Sequence, residues 1–403
     1  MERTILHCDC NGFFASVEMA FRPELKNVPM AVGGSQEDRH GIILAKNELA
    51  KKYNIQTAET IIEAKRKCPD LVIVPPRHEE YSKFSKRVND IYREYTDLVE
   101  PFGIDESWLD VTASRRLFGD GKTIADEIRR RVKEEIGITV SVGVSFNKVF
   151  AKLGSDYKKP DATTVISKEN YKDIVYPLPV KDLLFVGRKT LLELTAMRIK
   201  TIGDLANADR DLLTKRLGKM GHMLSVYARG EDNDPVKSVY AEDETKSVGN
   251  GMTFRRDLKG EEDVKKGIHL LSESVATRMR KKNLKCETVH IQIKSPEFKV
   301  VSKQKKLVFP TNSAREIANA AYELFVSVWN LRSPVRAITV TGTNLLPEDS
   351  GTQLTLFETA ATSEKQERLL ETIDTLRGKY GFDSLTTADF IDSDLGKHPK
   401  EEK

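Results

Sequence analysis

Three carboxylates set inside apolar strand patterns constrain this chain more than any other feature. Thr4-Ile5-Leu6-His7-Cys8-Asp9 reads as a strand that ends on an acid, and Gly12-Phe13-Phe14-Ala15-Ser16-Val17-Glu18 then turns into a helix. Further on, Val99 to Val111 holds two strand-like runs that meet at Asp105-Glu106, a hairpin carrying two acids. An acidic pair at a hairpin turn is ordinarily solvated and idle. Here Phe102, Ile104, Trp108 and Leu109 flank the pair, and an uncompensated carboxylate among apolar groups is costly to desolvate, so a metal ion is the natural counter-charge. Mg2+ takes hard oxygen ligands, commonly one or two carboxylates with substrate phosphates and water. The expected fold therefore brings a strand end and a hairpin into one cleft.

The rest of the chain is organised around that expectation. Strands and helices alternate to about residue 166, which indicates an α/β or α+β domain. Within it the patterning predicts a strand at 29–33, helical stretches near 44–53 and 60–67, and an amphipathic helix over 79–97 with Tyr81, Phe84, Val88, Ile91 and Tyr95 on one stripe. A helix at 121–136, the strand Thr139–Val144 and a helix from Asn147 follow. From 167 to 230 the pattern is helical, with glycine turns at Val186-Gly187-Arg188-Lys189 and Leu217-Gly218-Lys219-Met220-Gly221. Strands around 289–294, 298–302 and 335–343 then alternate with helices at 262–281 and 313–330. Beyond Leu346 the chain turns polar, apart from Gln353-Leu354-Thr355-Leu356-Phe357 and a helical stretch near 364–378. With 403 residues, roughly two to four domains are expected.

The net charge of +4 conceals a segregation. Residues 245–345 carry 19 Lys/Arg against 9 Asp/Glu, whereas 346–403 carry 7 against 13. A basic block of that size suits a polyphosphate partner through counterion release, although composition alone allows a merely solvated basic face equally well. No run of about 18 apolar residues occurs, and Met1-Glu2-Arg3 leads straight into a strand, so a cytoplasmic protein without membrane contact is expected. Cys8, Cys10, Cys68 and Cys286 are too few and too unevenly spaced for a disulfide framework and read as reduced thiols. His7, Cys8, Asp9 and Cys10 lack the second ligand pair that a zinc site needs.

Asp9-Cys10-Asn11-Gly12-Phe13-Phe14-Ala15-Ser16-Val17-Glu18 resembles the opening motif of the Y-family, translesion DNA polymerases, the bacterial DNA polymerase IV group. Ile104 to Asp110 resembles the family's second acidic motif, Val142 to Asp156 with Lys159-Pro160 its strand–helix motif, and Lys246-Ser247-Val248-Gly249 the start of its extra DNA-gripping domain. The similarity runs over roughly residues 3–345.

What the resemblance implies is an α+β multidomain right hand. Its palm, a mixed or antiparallel sheet plus helices, spans 1–166 with fingers inserted at about 20–77. A helical thumb with helix-hairpin-helix turns covers 167–231, a linker 232–244, an α/β little finger 245–345, and an acidic tail 346–403. The implied reaction is template-directed addition of dNTPs to a primer 3′ end by two-metal nucleotidyl transfer, at low fidelity and without proofreading. Asp9, Asp105 and Glu106 are the implied catalytic metal ligands, with the Cys10 backbone carbonyl on the nucleotide-side ion and two Mg2+ per site. Phe14 matches the steric gate beneath the sugar, Phe13 lies beside it, and Lys51 and Lys159 match triphosphate contacts.

At the fingers this sequence departs from the family, with Ala45, Glu48 and Lys51 where Thr, Tyr and Arg are usual. Lys51 can still meet phosphate as a point charge, without a bidentate fork. For DNA, the expected contacts are Gly187, Arg188, Lys189, Gly218 and Gly221 in the thumb and Lys246, Arg255, Arg256, Lys303, Lys305 and Lys306 in the little finger. Gln353, Leu354, Leu356 and Phe357 resemble the peptide by which bacterial polymerases dock on the sliding clamp. A monomer with primer-template DNA, dNTP and clamp as partners follows. The competing readings are a polymerase-like protein that holds DNA and clamp with little catalysis, and a nucleotide cyclase on a related palm.

Overall fold

A computed structural model describes residues 2–35, 39, 41–241, 244–348, 369, 372–381 and 384–385. The chain divides into two compact units near residue 242. The first is built on a five-stranded sheet and opens with β1 (Ile5–Cys10), α1 (Phe13–Phe21), β2 (Met30–Gly33), β3 (Ile43–Lys46), α2 (Glu48–Lys51), α3 (Ile61–Lys67) and β4 (Val72–Val74). It continues through α4 (His78–Arg93), β5 (Val99–Pro101), β6 (Glu106–Asp110), α5 (Arg115–Phe118), α6 (Gly121–Arg131), β7 (Val140–Ser145), α7 (Lys148–Tyr157) and β8 (Thr163–Ile166). Five helices close it: α8 (Tyr171–Val175), α9 (Arg188–Ala196), α10 (Ile202–Asn207), α11 (Arg210–Leu217) and α12 (Lys219–Ala228).

The main sheet runs β5-β6-β1-β7-β8, with β1 at its centre and only the β7–β8 pair parallel. Side chains alternate across a strand. Leu6, Cys8 and Cys10 of β1 accordingly enter the core with α4 and α6, whereas Ile5 joins Trp108 and Ala151 on the α7 side. Two glycines let α7 lie directly on the sheet. A Cβ on Gly143 of β7 would stand 1.9 Å from the Ala151 carbonyl oxygen, and one on Gly154 only 3.0 Å from the Gly143 Cα.

A smaller sheet, β3-β2-β4, packs with α2 and α3. The helical reading of 44–53 is corrected here: 43–46 is a strand, and Asn47 caps a single turn, its side chain accepting from the Ala50 amide. Asn at an N-cap satisfies a first-turn amide and starts a helix where it stands.

Helices α8 to α12 share one core with Val149, Phe150 and Leu153 of α7 and Ile166 of β8. The stretch expected as a linker from 232 is strapped to the sheet as far as Val239, which donates its amide to the Asp97 carbonyl at 2.9 Å, while Val236 is buried against Ile5 and Trp108.

Residues 247–347 of the second unit supply four long antiparallel strands and two helices: β9 (Ser247–Leu258), α13 (Gly260–Arg280), β10 (Leu284–Lys294), β11 (Val300–Thr311), α14 (Ala314–Val328) and β12 (Val335–Pro347). The sheet order is β11-β10-β12-β9, and both helices cover one face over Val289, Ile291, Ile293, Ile338 and Val340. Residues 372–380 form a further helix, held to α13 by Arg280 to Asp374 at 2.6 Å and Arg377 to Glu273 at 2.7 Å.

Candidate active site

Strand register places the acids. In the antiparallel β1–β6 pair Asp9 stands opposite Glu106 and His7 opposite Trp108, so all four share the face that α7 covers. Asp105 is drawn in by the backbone, because the Cys10 amide donates to its carbonyl at 2.9 Å. Gly103 completes the convergence: a Cβ there would lie 3.4 Å from Asp105 Oδ1 and 3.7 Å from Glu106 Oε1, so both carboxyl groups look onto one bare stretch of backbone. Trp108 and Leu109 are buried as expected, while Phe102 and Ile104 are exposed on the rim.

Two of the three acids already have cationic partners. Lys159 Nζ lies 2.7 Å from Asp9 Oδ2 and 2.7 Å from Asp156 Oδ1. Lys152 Nζ meets Glu106 Oε2, and His7 Nε2 stands 3.3 Å from that same oxygen. Burial raises the Glu106 carboxyl, but the His7 contact and the Lys152 ammonium outweigh it and bring it down to about 2. Burial likewise raises Asp9, and Lys159 only partly offsets it. Among the described residues no ion pair reaches Asp105, and burial with the charges of Asp9 and Glu106 pushes it up to about 6.

These carboxylates form no closed ligand set as they stand: among the described residues no three His, Cys, Asp or Glu side chains meet at metal-holding distance. Lysines occupy two of them. The donors are nevertheless hard oxygens around an uncompensated negative charge, which suits a divalent cation. The thiols of Cys8 and Cys10 are buried on the opposite face with ionisation pushed well up by desolvation, so soft ligation plays no part.

Comparison with known proteins agrees with this chemistry. The impB/mucB/samB family model matches residues 8–156, and the model of that family's C-terminal domain matches 245–356. The DNA polymerase IV of Acetivibrio thermocellus is 51% identical over 385 residues, covering 96% of both chains. The DNA polymerase IV 1 of Bacillus subtilis is 36% identical over 386 residues, covering 94% of this chain and 91% of the relative. A solved structure of a chimeric Y-family DNA polymerase superposes with a TM-score of 0.74 at 25% identity, covering 85% of this chain and 99% of that one. The chain belongs to the Y-family DNA polymerases. Membership makes it a DNA-directed DNA polymerase of the translesion type, using DNA and dNTPs and working with divalent metal.

In this polymerase Phe14 is half-buried and stacks on Tyr81 at 4.2 Å between ring centres. Tyr81 is held by its hydroxyl donating to the buried Glu18, which Arg77 and Arg22 also grip. Phe13 is corrected: at 3% exposure it is a core side chain, packed in the cluster that holds Tyr81 and Tyr92. Gly12, which starts α1, has φ +50° and a Cβ there would lie 3.1 Å from the Lys46 carbonyl oxygen, so the turn favours glycine. Asn11 is buried, donates to Ser141 and accepts the Asp161 amide, which ties the strand end to the segment that carries Lys159. Glu48 and Lys51 are exposed and face each other at 3.6 Å, so the departing acid is neutralised by its own neighbour.

Gly221 is a second correction. Its amide is bonded to the Gly218 carbonyl, and a Cβ would lie 2.1 Å from the Leu213 carbonyl oxygen, so this glycine lets α12 pack on α11. The Gly187 and Gly218 amides are also used internally, by Phe185 and Thr214. What each turn offers is its first helical amides, Arg188 and Lys189 in α9 and Lys219 and Met220 in α12, which have no intrahelical acceptor.

On β11, Lys303 and Lys305 stand opposite the core residues Ile291 and Val289. They therefore lie on the helix-covered face, where they reach Ser327 and Glu323 of α14. Lys306 has the other parity and joins Gln292, Thr339, Thr341, Gly249 and Gly251 on the open face. Arg255, next to buried Phe254, is exposed, Lys246 is exposed at the strand entry, and Arg256 pairs with Asp263. Gln353, Leu354, Leu356 and Phe357 fall outside the described residues.

Sequence alone gives no role to Lys152 or Ser155, and it weighs His7 only as part of an incomplete zinc set. The signals were present: His7 has the parity of Asp9, and Lys148, Lys152 and Asp156 recur every fourth residue along α7.

Proposed function

We propose that Asp9, Asp105 and Glu106, with the Cys10 carbonyl, hold two Mg2+ ions at the end of β1 and catalyse dNTP addition to a primer 3′ end. One observation carries the reading: register and the Cys10–Asp105 hydrogen bond gather three acids, and the one that no ion pair reaches among the described residues is pushed up to about 6. Bound there, Mg2+ would neutralise the charge that develops on the triphosphate as it reacts. The chain's own groups do the remainder. Lys159, poised between Asp9 and Asp156, is a point charge able to exchange a carboxylate for a phosphate of the incoming nucleotide. Phe14, braced by Tyr81, presents a flat wall against a ribose 2′ hydroxyl. Lys51 is the second phosphate contact.

Residues 1–166 then act as palm with inserted fingers, 167–231 as thumb and 245–345 as little finger, the last two gripping phosphates without reading sequence. The 353–357 peptide docks on the sliding clamp, its apolar Leu-x-Leu-Phe seeking a pocket. The polymerase works as a monomer. Primer extension with Mg2+ tests the centre. Asp105→Ala should lower the rate about a thousandfold, the ~4 kcal/mol that metal charge stabilisation supplies. Extension that Asp105→Ala leaves intact would refute the assignment.

A further inference from the structure

Glu106 is gripped on one side only, and the grip is built from residues that the reaction scheme above leaves unassigned. His7 is fully buried at the centre of the main sheet. Its ring is fixed from three directions. Trp108 packs against it edge-on, with centroids 5.3 Å apart and planes at 62°. Gly143 stands opposite it on β7, and the close approach of α7 that this glycine permits brings Ser155 Oγ to 2.8 Å from His7 Nδ1. The remaining nitrogen, Nε2, is buried without a hydrogen-bond partner and faces Glu106 Oε2 at 3.3 Å. A lone pair facing a carboxylate oxygen would repel it, so Nε2 carries a proton, and Nδ1 shares the Ser155 hydroxyl with the Lys152 carbonyl, which lies 2.8 Å from the same Oγ.

Lys152 reaches the same Oε2 from one turn earlier on α7, its ammonium standing 5.3 Å from the centre of the Phe102 ring. Oε1 is the oxygen left on the Gly103 side, where Asp105 Oδ1 also points. A buried histidine in a sheet is ordinarily just packing. This one spends its second nitrogen on a carboxylate, and its neighbour supplies a charge to the same atom.

We propose that His7 and Lys152 are positioning residues for nucleotidyl transfer: they hold Oε2 of Glu106 and thereby present Oε1, beside Asp105, as the ligand oxygen for a divalent cation. The proposal rests on Glu106 being a metal ligand. Ligating carboxylates whose second oxygen is held keep one orientation, and losing such a partner weakens metal affinity by about 10–100-fold.

The test compares two amides in the full-length chain bound to primed DNA, with Mn2+ affinity read by the electron paramagnetic resonance of the free ion. His7→Gln places its amide nitrogen near the Nε2 position and keeps the reach to Glu106. His7→Asn places it near Nδ1 and keeps only Ser155. His7→Asn should weaken Mn2+ binding about tenfold while the KM for dNTP stays within about twofold, and His7→Gln should recover affinity to within about threefold of wild type. Lys152→Gln, at a more accessible position that a folding defect does not confuse, should also lose about tenfold.

Equal effects of His7→Asn and His7→Gln, or unchanged Mn2+ binding in Lys152→Gln, would overturn the proposal. Glu106→Gln is the control that separates the two layers. If it leaves Mn2+ affinity unmoved, the ligand assignment itself is wrong and the positioning role falls with it. If it weakens Mn2+ while both His7 variants and Lys152→Gln bind normally, only the positioning role is lost.

Discussion

Asp105 should make the metal-free protein less stable, and Asp105→Asn should therefore stabilise it while abolishing activity. The carboxyl is raised from 3.8 to about 6 by burial and by the charges of Asp9 and Glu106. Ionising it at neutral pH opposes folding by roughly 3 kcal/mol if the whole displacement counts. The group keeps some contact with solvent, and screening trims this to about 1–2 kcal/mol. The sign follows from proton binding. A carboxyl raised on folding binds its proton more tightly folded than unfolded, so its favourable contribution is full below pH 4, is lost between about 4 and 6, and is absent above 6.

The asparagine has no such dependence. Its advantage over wild type should be near zero at pH 4, grow across the window and reach about 1–2 kcal/mol at pH 7.5, or about 2–8 °C in the melting of the first unit. Differential scanning calorimetry with EDTA at pH 4, 5, 6 and 7.5 measures it. Adding Mg2+ or Mn2+ should then raise the wild type and leave the variant where it is, since only a native state that binds the ion gains from it. An asparagine variant less stable than wild type at pH 7.5 in EDTA, or equally advantaged at pH 4, would refute the reasoning.

Two other outcomes follow from the placement of side chains. Lys306→Ala should weaken DNA binding about uniformly across sequences and reduce the salt slope by about one, whereas Lys303→Ala and Lys305→Ala, which act on the helix-covered face, should leave the slope unchanged in fluorescence anisotropy titrations. Gly221→Ala forces a Cβ against the Leu213 carbonyl, and the overpacked α11–α12 contact should cost about 1–3 kcal/mol in chemical denaturation, a loss that a phosphate-binding role alone does not predict.

The acids were legible in the sequence because each breaks an apolar strand pattern, and a broken pattern is a local signal. Their partners were not, because partnership depends on register and on helix-to-sheet distance, neither of which is local. His7 shows the boundary. Its parity with Asp9 was readable from β1 alone, but its opposition to Trp108 and Gly143 comes from pairings with residues about 100 and 136 positions away. Lys303, Lys305 and Lys306 show it again. Composition groups them as one basic cluster, and alternation separates them, yet which parity meets the helices is decided only when β10 brings Val289 and Ile291 alongside.

Gly221 and Gly143 extend the lesson to glycine. Both sit in runs that a motif reader assigns to phosphate or catalysis, and in both the missing Cβ is explained by another backbone less than 2.5 Å from where it would stand. For Gly143 the two explanations join. The bare position lets α7 settle on the sheet, and only at that depth do Ser155 and Lys152 reach the histidine and the glutamate beside the catalytic acids. A packing glycine is thus part of how the charge of this site is arranged, and replacing it should disturb metal binding through α7 although it touches no ligand.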